Sequence, residues 1–166
     1  MKEFLEGRRF GFALRPQLGQ IALGLAVAIT VLDLMAWFGL GARDTNGFVI
    51  ANAWLAVATA AFALLATITA LAESRDAADE DRPLARLDLL AAFVVFLLYA
   101  ASSGLRITDQ GAAGASPGAV VSAFAGLIVL LVDGVIASTL YASREWALLD
   151  EEEYEPRRHP KRRRAS

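Results

Sequence analysis

Four long apolar blocks, separated by short polar or charged stretches, set the pattern of this chain. They fall at about Leu18 to Leu40, Phe48 to Ala72, Leu87 to Leu105 and Gly118 to Ala142. Each is long enough to cross a bilayer, which takes about 20 apolar residues. None carries the polar stripe that a water-soluble bundle shows on its outer face. In hydrocarbon every backbone N–H and C=O must find a partner within the chain, so the blocks are predicted to be helices. The expected fold is all-α: a polytopic membrane protein built as a four-transmembrane-helix bundle. Residues 18–148 are the expected membrane domain. Residues 1–17 form a cytoplasmic or interfacial lead-in, and residues 149–166 a charged tail expected to be disordered.

The first block follows a basic segment with Arg8-Arg9-Phe10, which loosely matches a twin-arginine signal. Its apolar stretch exceeds the roughly 7–15 residues of a signal core, so it is read as a retained span. The connections between blocks are short. Gly41 to Gly47 is a tight turn with Asn46-Gly47 at its end, and Pro117 is well placed to open the fourth helix. The acidic stretch from Glu73 to Pro83 is expected to extend the second helix briefly.

Charge fixes the expected orientation. Fourteen of the sixteen Lys and Arg residues flank the blocks on one side: at the N-terminus, around Arg82, and in the C-terminal segment. Only Arg43 and Arg106 lie on the other side. Basic residues are retained on the cytoplasmic face, so both termini are predicted to be cytoplasmic. Aromatic residues fit interface positions, with Trp37, Phe38, Phe48 and Trp54 at one level and Tyr141 and Trp146 at the other. Among these, Trp54, Tyr141 and Trp146 are the expected lipid-interface anchors.

Two blocks carry an acid deep within their apolar run. Asp33 interrupts "AITVLDLMAWF" and Asp133 interrupts "IVLLVDGVIAS". At 100° per residue, positions seven and eleven apart return to nearly the same helix face. Ala22, Ala26, Asp33 and Trp37 therefore share one face of the first helix. Ser122, Gly126, Asp133 and Ala137 share one face of the fourth. Small residues let membrane helices approach closely, so both faces are predicted to contact other helices or a partner. Three roles are open to the acids. The leading one is a protonated carboxyl that hydrogen-bonds as packing glue. The second is pairing with a cation, with Arg43 or Arg106 reaching inward toward Asp33. The third is proton or ion transport, the default suspicion for an intramembrane acid. No Lys, Arg or His accompanies the acids within the blocks, and no proline breaks a helix near them.

Composition narrows the chemistry further. The chain has no cysteine, and its single histidine, His159, lies in the tail. Thiolate metal sites, disulfides and histidine-based haem or zinc sites are thereby excluded or left without ligands. No cofactor, metal or catalytic residue is expected. The tail alternates an acidic run with a basic one, Arg157, Arg158, Lys161, Arg162, Arg163 and Arg164. Such a run attracts anionic lipid headgroups. Without interleaved aromatics to stack on bases it does not point to nucleic acid.

From about Val31 to Trp146 the chain resembles a family of small four-helix bacterial membrane proteins, domain of unknown function 2231. The likeness rests on "VLDLMAWFGL", "ANAWLAVATAAFALLA", "LLYAASSGLR" and "GLIVLLVDGVIASTLYASREW". The resemblance implies a bacterial cytoplasmic membrane protein. Members often carry histidines near the first and third spans, and some are joined to Rieske-type domains, which implies membrane redox chains. This sequence has histidine at neither place, so no ligand residue carries over. The expected role is a non-catalytic accessory subunit packed against other integral membrane subunits of a respiratory or photosynthetic complex. The rivals are a proton- or ion-coupled carrier using Asp33 and Asp133, and an anchor whose basic tail recruits a soluble partner or lipid.

Overall fold

The computed structural model describes residues 14–40, 47–109 and 114–154. It is all-helical there, with α1 Leu14–Trp37, α2 Gly47–Asp76, α3 Arg82–Thr108 and α4 Pro117–Tyr154. All four helices are long and apolar enough to cross a membrane. Each helix packs on the next, and α4 closes the ring against α1. α1 therefore lies diagonally opposite α3, and α2 opposite α4. The closing contact of α1 with α4 is the least extensive of the four seams.

Local chemistry sets several helix ends. Gly39 adopts φ 74° and ends α1: its N–H reaches Ala36 O, and the N–H of Leu40 reaches Met35 O, 3.0 Å in each case. This is the paired hydrogen-bond closure that a left-handed glycine allows. Pro83 lies in the first turn of α3, and Pro117 opens α4, where a missing N–H costs nothing.

Two boundaries differ from the expected ones. α1 begins at Leu14 rather than Leu18, which places Arg15 on the helix instead of in a flanking segment. α4 runs on to Tyr154, past the expected end at Ala142, so the start of the charged tail is helical. Its sequence there, "WALLDEEEY", is rich in good helix formers. The basic run Arg157 to Arg164 lies outside the described residues, as do Arg43 and the side chains of Tyr141 and Trp146.

The interior is built mainly from alanine. Ala22, Ala26, Ala56, Ala60, Ala63 and Ala123 join Ile29, Val95, Tyr99 and Leu130 in one buried cluster. Larger apolar side chains such as Leu34, Leu65, Leu90, Leu97, Phe93 and Phe124 face outward. Small residues inside let the helices approach closely, while bulk outside suits an apolar surrounding. The tightest approach is at Gly126. A Cβ placed there would lie 2.6 Å from Cε2 of the buried Tyr99 ring, whose hydroxyl donates to Ala123 O at 3.0 Å. Gly126→Ala should therefore destabilise the bundle by about 1–3 kcal/mol through overpacking. Gly134→Ala, with nothing within 4 Å of its Cβ, should not. Thermal melts of the two variants in one detergent check the contrast.

Candidate functional site

Both acids singled out in the sequence face guanidinium groups. At one end of the bundle Arg106 of α3 grips Asp33 of α1 in a two-pronged pair. Nη1 donates to Oδ1 at 2.8 Å and Nη2 to Oδ2 at 2.5 Å. Asn52 of α2 donates from Nδ2 to the same Oδ1 at 2.7 Å and to Ile29 O at 3.1 Å. Arg106 Nε donates to Ser102 Oγ at 3.1 Å, and Ser102 donates to Ala119 O of α4 at 2.8 Å. All four helices are thus joined at this level. The Arg106 side chain is fully buried, and that of Asp33 is 11% exposed.

At the other end Arg15 of α1 holds two carboxylates. Its Nε and Nη2 donate to Asp88 of α3 at 3.2 and 3.0 Å. Nη2 also donates to both oxygens of Asp133 of α4, at 2.9 and 2.7 Å. Arg15 is 1% exposed and both acids are buried. Isolated buried charges are very costly, and a partner with satisfied hydrogen bonds is what lets them stay inside.

The two clusters are built on one spacing. Arg15 and Asp33 are eighteen residues apart on α1, and Asp88 and Arg106 are eighteen apart on α3. Eighteen residues make five whole turns and about 27 Å, so each helix presents its two charges on one face near opposite ends. The signs are reversed between the helices. α1 carries cation then anion, and α3 carries anion then cation. These diagonal helices run in the same direction, so cation meets anion at both ends.

This arrangement corrects the leading sequence expectation. Asp33 and Asp133 do not simply hydrogen-bond among small residues; each is paired with a buried arginine. The second expected role holds for Arg106, which does reach Asp33. Arg15 and Asp88 were not among the expected site residues. Arg15 lies where basic residues read as orientation signals, and Asp88 sits at the very edge of the third apolar block. The matched eighteen-residue spacing with reversed charges was the available signal.

The other expected contact residues divide. Ala22, Ala26 and Ala137 are buried, Gly126 lies under Tyr99, and Ser122 is half-buried with its hydroxyl donating to Ala119 O at 3.1 Å. Trp37 instead turns outward and is 84% exposed, because it ends α1 beyond the last packed turn. Trp54 is 66% exposed on the outer face of α2.

The α1–α4 seam contains two hollows, one beside each cluster. The larger, about 310 Å³, borders Arg15 and Asp133. The smaller, about 190 Å³, borders Asp33 with Thr30, Leu34, Trp37, Val120 and Phe124. Among the described residues no group of histidine, cysteine or acidic side chains could hold a metal ion. Comparison with protein-family models, with curated proteins and with solved structures finds no match.

Proposed function

We propose that the chain is a multi-pass protein of a bacterial cytoplasmic membrane, with both termini cytoplasmic, that serves as a non-catalytic accessory subunit of a larger membrane complex. One observation carries this reading: the three acids of the two clusters, Asp88 and Asp133 buried and Asp33 partly so, are held by two arginines within the bundle. Their hydrogen bonds fix helix to helix. The outward-facing leucines, phenylalanines and Trp54 supply a broad apolar flank suited to lipid and to neighbouring helices. A respiratory or photosynthetic complex is the proposed setting, and the basic run Arg157 to Arg164 is proposed to rest on anionic headgroups.

Purification in a mild detergent tests the role. A membrane polypeptide should co-purify in fixed ratio, and its abundance should fall when this chain is deleted. Isolation of the bundle alone, with no effect of deletion on any membrane complex, would count against it. Orientation has its own check. Reporter fusions at Ser166 and at Gly114 should report opposite sides, with Ser166 cytoplasmic, because fourteen basic residues stand against two.

A second reading, a proton- or ion-coupled carrier, draws on one feature. A guanidinium carries a single positive charge, and Arg15 serves two carboxylates beside a hollow. Under that reading Asp133→Asn abolishes transport in proteoliposomes while the bundle stays assembled.

A further inference from the structure

The surplus negative charge at Arg15, together with the shape of the hollow beside it, points to a ligand. Arg15 contributes one positive charge however many acceptors it serves, and it faces both Asp88 and Asp133. A carboxylate offers about four lone-pair sites, so Asp133, whose two contacts run to one nitrogen, retains acceptor capacity. The adjoining hollow of about 310 Å³ lies in the loosest seam of the ring, between α1 and α4.

The walls of the hollow are graded along the bundle. Gln20 and Ser138 lie toward the end that carries Arg15, while Leu23 and Leu130 lie one or two turns nearer the middle. A polar end followed by an apolar stretch matches a lipid oriented with its headgroup at the membrane surface and its chains inward. An anionic headgroup would bring a second negative charge against the cluster. A zwitterionic headgroup with a primary amine brings a positive charge and three N–H donors.

We propose that this hollow binds a phospholipid with a primary-amine headgroup, phosphatidylethanolamine in type, whose ammonium pairs with Asp133 and balances the Arg15 cluster. The proposal rests on the membrane reading above and goes beyond it by naming a ligand. A partner's lysine is a different occupant. The graded walls of the hollow favour lipid.

The test uses the full chain, purified in detergent and delipidated. It is titrated separately with short-chain phosphatidylethanolamine, phosphatidylcholine and phosphatidylglycerol, and the adducts are counted by native mass spectrometry. Phosphatidylcholine keeps the positive charge but has no N–H donor, so it separates hydrogen bonding from charge alone. The amine lipid should bind roughly tenfold more tightly than either of the others, the factor that one charge-assisted hydrogen bond supplies. Asp133→Asn should remove that preference. Gly134→Leu adds bulk to the wall of the hollow and changes no charge, at a position where a Cβ meets nothing within 4 Å beyond its chain neighbours. It should lower phosphatidylethanolamine binding to the phosphatidylcholine level while the melting temperature holds. Equal binding of the three lipids, as expected if a proton or a partner's lysine balances the cluster, would overturn the proposal. So would full amine-lipid binding by a stable Gly134→Leu protein. A chain that stays soluble without detergent would defeat the membrane reading itself.

Discussion

Arg15→Leu should be the most damaging single substitution in the protein. It removes the only described cation between Asp88 and Asp133, two buried acids on different helices. Breaking a buried ion pair by deleting one partner costs about 3–5 kcal/mol, because the other charge is left uncompensated. Here two carboxylates lose the same partner, so the loss should fall at the upper end of that range. Asp133→Asn should be much milder. It keeps a hydrogen-bonding side chain, leaves Arg15 on Asp88, and brings the pair to one positive and one negative charge. A cost of about 1 kcal/mol, one hydrogen bond, is expected. Denaturation of both variants in the same detergent measures the difference. Equal damage from the two would mean that Arg15 does not organise the cluster.

The second large effect should come from Arg106→Leu. Asp33 would lose both prongs of the guanidinium and keep only the Asn52 amide, while Ser102 would lose the Arg106 Nε–H that it accepts. Because Asp33 is 11% exposed, some water reaches it, and a loss of about 3 kcal/mol is expected, the lower end for a broken buried pair. Arg106→Lys should recover only part of the stability. An ammonium keeps the charge but cannot match the two-pronged geometry of the carboxylate or reach Ser102 at the same time. The clusters stand about 27 Å apart along the helices, so Arg106→Leu and Asp133→Asn should combine additively. Urea or SDS titration of the single and double variants reads this out.

Much of the fold was legible because hydrocarbon-length apolar blocks leave few alternatives to helices. Ala22, Ala26 and Gly126 stand at helical spacings and do face inward, and Gly126 has a reason that spacing alone does not supply, the Tyr99 ring. The charge clusters were harder to read. Hydropathy ends the first block at Leu18, yet the helix continues to Leu14 because an arginine turned into the bundle does not break it. A basic residue outside a block then reads as a topology signal, although its long side chain reaches across to the diagonal helix. Asp88 is obscured for the same reason, standing one residue inside its block. Pairing between diagonal helices leaves no local pattern along the chain. It shows only when the eighteen-residue spacings of α1 and α3 are set side by side with their signs reversed. Trp37 shares a face with Asp33 by angle but lies past the last packed turn, exposed on the outside of the bundle.

Oppositely charged residues on α1 and α3 hold the diagonal of the bundle together. The Asp33–Arg106 pair offers the most direct measurement, since it is one acid with one arginine. A double-mutant cycle with Asp33→Asn, Arg106→Leu and the two combined isolates their interaction from all other effects of each change. If the pair is the fastener described here, the combined variant should be about as stable as the Arg106→Leu protein or more so, with a coupling energy of about 2 kcal/mol or greater. Single losses that simply add, within about 0.5 kcal/mol, would show that the two side chains do not act on each other and would contradict the account.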